Sequence, residues 1–229
     1  MFISVVVPTY NERDNLGELV SRLRRALSSF PYELIVVDDG SPDGTGELAE
    51  ELAEKYGNIR VIHRSGKLGL ASAVVDGIRA ARGDVVAVMD ADLQHPPEVL
   101  PHMLREIEGG ADLVVASRYV EGGRVEGWSK WRRLVSKTAT LLARMLVPKA
   151  GRVKDPLSGF FAFKRSILDG LELNPEGFKI LLEIIAKARF QKLVETPYTF
   201  QARKRGESKL KTSEYINYLK HLTKLQRKT

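Results

Sequence analysis

Residues 2–12 read FISVVVPTYNE, a short β-branched run that ends at Pro8 and continues into polar residues. Leucines then recur at helical spacing over 16–27, and this strand-then-helix pattern repeats through the first half of the chain. Further strands are predicted at 33–37, 59–62, 84–89 and 113–116, and helices at 48–56, at 70–81 and from Pro97. Apolar strands that alternate with helices indicate a mostly parallel sheet with helices on both faces. The predicted fold class is therefore α/β, with a Rossmann-like, doubly wound sheet.

The composition is that of a soluble globular protein, with 229 residues, 43% hydrophobic residues and 28% charged residues. The absence of cysteine excludes disulfides and thiolate metal sites, so a metal must bind through oxygen or histidine. The first ten residues lack the basic start of a signal peptide. No apolar run approaches the roughly 18 residues that span a bilayer, so we expect no transmembrane domain.

Charge is distributed unevenly along the chain. Residues 1–121 contain 12 Lys and Arg against 20 Asp and Glu, whereas 122–199 contain 15 against 7 and 200–229 contain 9 against 2. The Gly-rich stretch 121–123 is predicted to be a loop between the two halves. A basic second half indicates a partner such as nucleic acid, an anionic membrane or a phosphorylated ligand, with a solvated basic face as the alternative.

Two segments of the second half have the pattern of basic amphipathic helices, at about 132–147 and 213–228. Their predicted apolar stripes comprise Leu134, Thr138, Leu141, Leu142, Met145 and Leu146, and Tyr215, Tyr218, Leu219, Leu222 and Leu225. Trp128 and Trp131 near the first helix could be core residues, but an interfacial position suits their amphipathic rings. Ordinary helices packed on the core are the alternative interpretation of both segments.

Paired acids follow two of the predicted strands, at the edge where open α/β sheets bind ligands. Asp90 and Asp92 come directly after the strand 84–89, and residues two apart on an extended segment point the same way. Both carboxylates, with the carbonyl oxygen of Gln94, could bind one hard cation such as Mg²⁺ or Mn²⁺ that is shared with substrate phosphates. The alternative is that Asp92 caps the helix beginning at Pro97.

Asp39, at the end of the second strand, suits hydrogen bonding to a nucleobase or a ribose, with a simple turn acid as the alternative. Neither a dinucleotide-binding glycine fingerprint nor a phosphate-binding P-loop is present. Phosphates must therefore be held by metal and basic side chains, for which Arg118 and the cluster at 203–209 are candidates. The four histidines have no metal-like spacing, and none is assigned as a ligand.

These residues resemble those of a known family. The stretches VVPTYNE (6–12), VVDDGS (36–41) and DAD (90–92) resemble the family-2 inverting glycosyltransferases. More narrowly, MDADLQHPPE (89–98), DPLSGFF (155–161) and RGESK (205–209) resemble the dolichyl-phosphate or polyprenyl-phosphate mannose synthases of that family. The resemblance extends from residue 3 to about residue 222.

The resemblance implies a GT-A fold, a metal-dependent glycosyltransferase activity and a role for each matching residue. Nucleotide-sugar contacts are implied for Pro8, Tyr10, Glu12, Val37, Asp39, Asp90, Ala91, Asp92, Gln94, Lys179, Arg203 and Lys209. Metal binding is implied for Asp90, Asp92 and Gln94, and acceptor-phosphate contacts for Arg118 and Arg132. Asp92, Arg203 and Lys209 are the predicted catalytic residues.

The implied reaction transfers mannose from GDP-mannose to dolichyl or polyprenyl phosphate with inversion. We expect one catalytic domain over 1–229, with a nucleotide-sugar half (1–121), an acceptor half (122–212) and a C-terminal amphipathic helix (213–229). We expect a peripheral location on the cytoplasmic face of a membrane, with contacts to anionic lipid and none to nucleic acid. Membrane-anchoring partner subunits are an open option.

Two rival interpretations of the sequence remain. The first is another lipid-phosphate glycosyltransferase, such as a glucosyltransferase that uses a UDP-sugar, because spacing alone fixes neither the base nor the sugar. The second is a non-enzymatic binder of nucleic acid or membrane surfaces, suggested by the sequence pI of about 9.5. That second reading leaves the acids at the strand ends unexplained, since they would repel nucleic acid.

Overall fold

A computed structural model describes residues 1–174 and 179–202, together with Tyr218, Leu222 and Leu225. The strands are β1 (Ile3–Thr9), β2 (Tyr32–Asp38), β3 (Ile59–His63), β4 (Val85–Val88), β5 (Leu113–Ser117), β6 (Arg124–Val125), β7 (Phe161–Lys164), β8 (Leu193–Pro197) and β9 (Thr199–Phe200). The α-helices are α1 (Arg13–Ala26), α2 (Thr45–Tyr56), α3 (Leu70–Ala80), α4 (Leu100–Glu108), α5 (Lys130–Leu146) and α6 (Ile180–Lys187). Short 3₁₀ turns lie at Pro97–Val99, Pro148–Arg152 and Arg165–Leu168.

Seven strands form one mixed sheet in the order β3-β2-β1-β4-β7-β5-β8. All neighbours pair in parallel except β7, which runs antiparallel between β4 and β5. Strands β6 and β9 pair separately in a small two-stranded sheet. The carboxyl ends of β1, β2 and β4 therefore meet at one edge of the sheet, where ligands of open α/β sheets bind.

Apolar side chains on both faces of the sheet form two core layers, as expected for strands that are covered on both sides. One layer packs α3, α5 and α6 against residues such as Val6 and Val37, and the other packs α1 and α4 against Val5 and Val36. This alternation along β1 and β2 follows from the two-residue period of a strand. The predicted α/β architecture, with its mostly parallel sheet, is confirmed.

The strands and helices predicted in the first half all form, with bounds that differ by a few residues at most. The helix predicted from Pro97 begins with a 3₁₀ turn and becomes α-helical at Leu100. In the second half, β7, β8 and α6 form although the pattern predicted no element there. Because β7 inserts between β4 and β5, the second half of the chain contributes to the same sheet as the first.

Helix α5 forms close to its predicted range, but its apolar residues divide between two faces. Leu142 and Leu146 pack against the core, with Ala143 fully buried between them. Four large apolar side chains on the other side are exposed: Trp131 (72%), Leu134 (56%), Leu141 (55%) and Met145 (71%). The single stripe predicted for this helix is thus wrong in detail, since Leu142 and Leu146 do not share the exposed face.

The second predicted amphipathic helix lies mostly outside the described residues. At its three described positions, Tyr218, Leu222 and Leu225 are helical and buried in the core layer that also holds α5. The Tyr218 hydroxyl donates a hydrogen bond to the Ala139 carbonyl oxygen at 2.7 Å. The membrane interpretation of these three side chains is therefore wrong, because they pack on the protein itself. Within the described ranges, no helix combines the length and hydropathy needed to cross a bilayer.

Candidate functional site

The adjacent acids Asp38 and Asp39, at the end of β2, have different environments. The Asp38 carboxylate accepts hydrogen bonds from the Thr9 hydroxyl at 2.9 Å, and from the backbone N–H and hydroxyl of Ser41 at 2.9 and 2.5 Å. It therefore ties the end of β1 to the turn after β2. The carboxylate of Asp39 instead faces the loop after β3, where it accepts a hydrogen bond from the Gly69 N–H at 3.0 Å and pairs with Arg64.

The segment after β1 is held in an uncommon backbone conformation. Asn11 has φ 53°, and its N–H donates to the Ser41 hydroxyl at 2.9 Å. The Glu12 N–H donates to the Thr45 hydroxyl at 2.9 Å, and the ammonium of Lys67 lies 4.1 Å from the centroid of the Tyr10 ring. Positive φ outside glycine costs free energy and tends to occur at functional sites, where the surrounding structure fixes it.

The segment after β4 has the same feature, since Leu93 has φ 61°. The Asp92 carboxylate accepts a hydrogen bond from the Gln94 N–H at 3.1 Å and caps a local turn, so it is not the cap of the following helix. Gln94 is held by Gln201, which is distant in the sequence. The Gln94 Nε2 donates to the Gln201 backbone carbonyl at 2.9 Å, and the Gln94 backbone carbonyl accepts from the Gln201 N–H at 3.1 Å.

His95 is buried directly beneath Asp90. Its Nδ1 accepts a hydrogen bond from the Asp90 N–H at 3.1 Å, and its ring stacks on Phe160 with centroids 5.3 Å apart. Burial lowers the pKa of His95 to about 4, so the imidazole is neutral at neutral pH. A Cβ on Gly159 would lie 3.1 Å from the His95 ring and 3.3 Å from an Asp90 carboxylate oxygen, so glycine gives this loop its room.

The segment after β4 carries oxygen atoms of the kind that a hard divalent cation binds. Asp90 and Asp92 present carboxylates, and the carbonyl oxygen of Gln94 keeps a second lone pair beyond the one used by Gln201. Among the described residues, no group of three His, Cys, Asp or Glu side chains is placed to hold a metal. A cation here would therefore take few protein ligands and complete its shell with substrate oxygens and water, as Mg²⁺ commonly does.

Arg118, after β5, forms a buried bidentate ion pair with Asp155. Its Nε and Nη2 donate to the two carboxylate oxygens at 2.8 and 2.7 Å, and its backbone N–H donates to the same carboxylate at 3.0 Å. Although burial opposes protonation, the hydrogen bonds that Arg118 donates to the negatively charged Asp155 raise the pKa of Arg118 above its usual value. The ion pair with Asp155 thus uses Nε and Nη2 of this guanidinium.

Arg118 and Arg132 lie close to the same aromatic ring. Their guanidinium carbons are 5.5 and 4.6 Å from the centroid of Trp128, which also packs edge-on against Phe200. Both distances are within the range of cation–π attraction. The structure thus brings together two residues predicted to contact one phosphate. Trp128, predicted to be interfacial, instead packs against the core layer of β1, α1 and α4.

Lys179 precedes α6, and its ammonium donates a hydrogen bond to the Leu157 carbonyl at 2.9 Å. Burial, and to a smaller extent the nearby Arg118, lowers the pKa of Lys179 to about 8, against the opposing effect of Asp155 and Asp90. These electrostatic effects place Lys179 near both the Arg118–Asp155 pair and the Asp90 loop. A cation of lowered pKa in such a position is typical of a functional site.

Most of the predicted site residues converge on the carboxyl edge of the sheet. Pro8, Tyr10, Glu12, Asp39, Asp90, Asp92 and Gln94 lie at the ends of β1, β2 and β4 or just beyond them. Val37 and Ala91, which were also predicted to contact the nucleotide-sugar, are 0% and 2% exposed. Arg203 and Lys209, and the whole stretch 205–209, lie outside the described residues.

Sequence reasoning assigned no role to Arg64, His95 or Asp155, and Trp128 was assigned to the wrong environment. Arg64 could have been found by the rule that open α/β sheets bind ligands at the carboxyl ends of their strands, because it directly follows the end of β3 at the same edge. The partners of His95 and Trp128 come from remote segments, and no local pattern identifies them.

Comparison with known proteins identifies the class. The model of glycosyl transferase family 2 matches residues 4–171. The chain belongs to this family. It is 52% identical over 227 residues to the dolichol-phosphate mannosyltransferase of Pyrococcus furiosus, covering 99% of this chain and 64% of that relative.

Two further relatives match over more of their own length. The dolichol-phosphate mannosyltransferase of Saccharomyces cerevisiae is 39% identical, over 97% of this chain and 86% of the relative. The polyprenol monophosphomannose synthase of Mycolicibacterium smegmatis is 41% identical, over 91% and 81%. The resemblance predicted from the sequence is confirmed.

The fold is shared with a solved enzyme. Glucosyl-3-phosphoglycerate synthase of Mycobacterium tuberculosis, solved with Mn²⁺, UDP-glucose and phosphoglyceric acid, superposes with a TM-score of 0.67 at 24% identity. The match covers 99% of this chain and 76% of that one. At this identity the comparison establishes the fold alone.

Proposed function

We propose that this protein transfers mannose from GDP-mannose to dolichyl or another polyprenyl phosphate, with inversion at the anomeric carbon. The observation that carries the proposal is the pair of carboxylates Asp90 and Asp92 at the end of β4, with the half-buried Lys179 close enough to Asp90 and to the buried Arg118 to feel the charge of both. The names of the three relatives support the same sugar and the same class of acceptor.

In the proposed reaction, a phosphate oxygen of the acceptor attacks the anomeric carbon of mannose. The bond between that carbon and the β-phosphate oxygen of the donor breaks, and GDP departs with the electron pair. A phosphate monoester has its second pKa near 6, so at neutral pH the acceptor is largely a dianion and needs no general base. The buried His95 fits this scheme, because its Nδ1 is already used by the Asp90 N–H.

The remaining residues would bind and orient the two substrates. Asp90, Asp92 and Gln94 would hold Mg²⁺ or Mn²⁺, which supplies charge stabilisation for the leaving diphosphate. Lys179 would add a positive charge on the donor side, while Arg118 and Arg132 would receive the acceptor phosphate. The predicted contributions of Arg203 and Lys209 remain part of the proposal. Positioning and charge stabilisation would then provide most of the catalysis.

The acceptor is a lipid, so we propose that the protein works at the cytoplasmic face of a membrane, alone or with membrane-anchoring subunits. The exposed face of α5, formed by Trp131, Leu134, Leu141 and Met145, supports this location. Arg132 at the start of that helix stacks on Trp128, next to Arg118. An apolar helix face beside a phosphate-binding pair would place a lipid headgroup at the site while its chain stays in the membrane.

Product analysis tests the donor and the acceptor together. Radiolabelled GDP-mannose or UDP-glucose is incubated with polyprenyl phosphate and Mg²⁺ or Mn²⁺, and the lipid product is isolated and its anomeric configuration determined by NMR. We expect labelled β-linked polyprenyl-phosphate mannose from GDP-mannose only. Labelled lipid from UDP-glucose alone would favour the glucosyltransferase alternative, and absence of any lipid product would reject both.

The metal assignment is tested with Asp92→Ala at saturating Mn²⁺. Removing a charged ligand should reduce turnover by at least a hundredfold. A Mn²⁺ titration followed by EPR, which measures metal binding independently of activity, should show weaker binding of Mn²⁺. Turnover near that of the wild type would reject the assignment.

A further inference from the structure

Arg64 lies outside every predicted site, yet it connects three parts of the nucleotide edge. Its Nη1 donates to an Asp39 oxygen and to the Gly69 carbonyl, the latter at 3.3 Å. Its Nη2 donates to the Ser72 hydroxyl at 2.7 Å, and its Nε pairs with Asp76 at 3.0 Å. All three guanidinium nitrogens are therefore engaged, on the end of β2, on the loop after β3 and on α3.

Two contacts, one on each oxygen, fix the orientation of the Asp39 carboxylate. Arg64 holds one oxygen, and the Gly69 N–H donates to the other at 3.0 Å. The side chains of Asp39 and Arg64 are only 6% and 7% exposed, so the pair is shielded from solvent. A carboxylate offers only acceptor atoms to these donors, and the contacts among the described residues use two of its roughly four lone-pair positions.

The backbone around this pair is also closely packed. Gly40, with φ +67°, approaches the loop so closely that a Cβ on it would lie 3.1 Å from the Gly66 Cα. The Arg64 N–H donates to the Asp38 carbonyl at 2.9 Å, which continues the pairing of β2 with β3. The position of the Arg64 side chain is thus set by the sheet.

We propose that Arg64 is a positioning residue that makes Asp39 an acceptor-only reader of the nucleobase. Guanine and uracil present a ring N–H from which such a carboxylate can accept, whereas adenine and cytosine present at that ring position an acceptor nitrogen that it repels, so that only their amino group could donate. Arg64 would therefore select donors by the hydrogen-bonding pattern of the base. This inference rests on the proposed function only in taking a nucleotide-sugar to bind at Asp39.

A lysine cannot replace Arg64 in this arrangement. Its single ammonium is a point charge on a flexible stem, whereas the planar guanidinium reaches Asp39, Ser72 and Asp76 from three nitrogens at once. The chain also provides a matched control on the opposite side of Asp76. Arg79 lies 3.8 Å from the other Asp76 oxygen, but its side chain is 63% exposed.

The test measures binding of GDP, UDP, ADP and CDP by calorimetry in the presence of Mg²⁺. The proteins are the wild type, R64Q, R64K, D76N and the control R79Q, each checked for its melting temperature. For the wild type we expect GDP or UDP to bind at least tenfold more tightly than ADP and CDP. R64Q and R64K should reduce that preference at least tenfold, D76N about threefold, and R79Q by less than twofold.

Selectivity distinguishes a positioning role from a structural one. If R64Q weakens all four nucleotides equally, or binds the preferred one within twofold of the wild type, the inference is overturned. If R64Q does not fold, D76N decides, because an unchanged base preference in that variant also overturns it. A wild type that prefers UDP over GDP would contradict the proposed donor, while loss of the UDP preference over CDP in R64Q would still support the role of Arg64.

Discussion

Adjacent residues of identical type can have different functions because of the direction in which their strand presents them. Asp38 is used within the fold, by Thr9 and Ser41, whereas Asp39 faces the edge at which ligands bind. Asp90 and Asp92 also differ, because the Asp90 N–H donates to a neutral histidine, whereas the Asp92 carboxylate caps its own turn. Asp38 is thus a structural anchor, and the proposed function assigns ligand contacts to Asp39, Asp90 and Asp92.

At the residue scale, Lys179 predicts a pH dependence of donor use. Its pKa of about 8 means that its charge is lost as the pH rises through 8, so attraction for the donor diphosphate should fall. Because kcat/KM reports the free enzyme, its value for the donor should decline above about pH 8. In Lys179→Arg the guanidinium stays charged, and that decline should move to higher pH.

The control for Lys179 is the exposed Lys154→Arg, which should retain the wild-type profile. The measurement is initial rates at subsaturating donor from pH 6.5 to 9.5. Identical descending limbs for the wild type and Lys179→Arg would show that another group is responsible.

His95 predicts a pH dependence of stability. Its pKa is about 4 in the folded state and near 6.5 when exposed, so between these values only the unfolded state binds the proton. The free energy of unfolding should therefore fall as the pH drops from 6.5 to 4, by roughly 3 kcal/mol in total.

Urea unfolding at pH 7, 5.5 and 4.5 measures the contribution of His95. His95→Asn, which retains an acceptor for the Asp90 N–H, and His95→Phe, which retains the ring, should both lose this part of the acid sensitivity. An equal slope of unfolding free energy against pH in the wild type and both variants would contradict the prediction.

At the scale of elements, the helices that cover the sheet differ in how closely they approach it. A Cβ on Gly77 of α3 would lie 2.3 Å from Val6 Cγ1 of β1, whereas a Cβ on Gly17 of α1 would meet nothing within 4 Å. Helix α3 therefore depends on a missing side chain to reach the sheet, and the same helix carries Ser72 and Asp76, which contact Arg64. Close packing of α3 thus also positions the nucleotide edge.

The two glycines form a matched pair of substitutions. Gly17→Ala should stabilise the protein by about 0.5–1 kcal/mol, because alanine favours the helix and no atom obstructs it. Gly77→Ala should destabilise it by about 1–3 kcal/mol despite the same gain in helix propensity, because the methyl group overpacks the core. Chemical denaturation of both variants checks the sign, and a stabilised Gly77→Ala would refute the packing argument.

The fold of the first half could be predicted because its strands are continuous apolar runs between clear helical repeats. The second half resisted prediction for physical reasons. Strand β7 is four residues long and pairs with two strands distant in the chain, so its place depends on tertiary contacts. The candidate site shows the same division. Asp39, Asp90 and Asp92 could be predicted because they lie at the ends of predicted strands. The partners of His95, Trp128 and Arg118 required knowledge of how residues 155–160 and 200 return to that edge.

For the whole molecule, the uneven charge of the chain and the exposed face of α5 make a joint prediction. The chain carries a formal net charge of +7, although residues 1–121 carry a net negative charge. Binding to vesicles should therefore combine electrostatic attraction by the second half with insertion of apolar side chains from α5. Each basic residue near an anionic surface contributes about 1 kcal/mol, which salt screens.

Vesicle sedimentation separates these two contributions. We expect binding to vesicles of anionic lipid, little binding to neutral vesicles, and a decrease between 0.1 and about 0.5 M salt, where screening shortens the Debye length. The double variant Leu141→Gln and Met145→Gln should weaken binding at low salt without lowering the melting temperature, since both side chains are exposed. The matched substitution Leu142→Gln, on the packed face, should lower the melting temperature instead. Equal binding to neutral and anionic vesicles would reject the electrostatic contribution to membrane binding. Unchanged binding of the double variant would show that α5 does not enter the lipid.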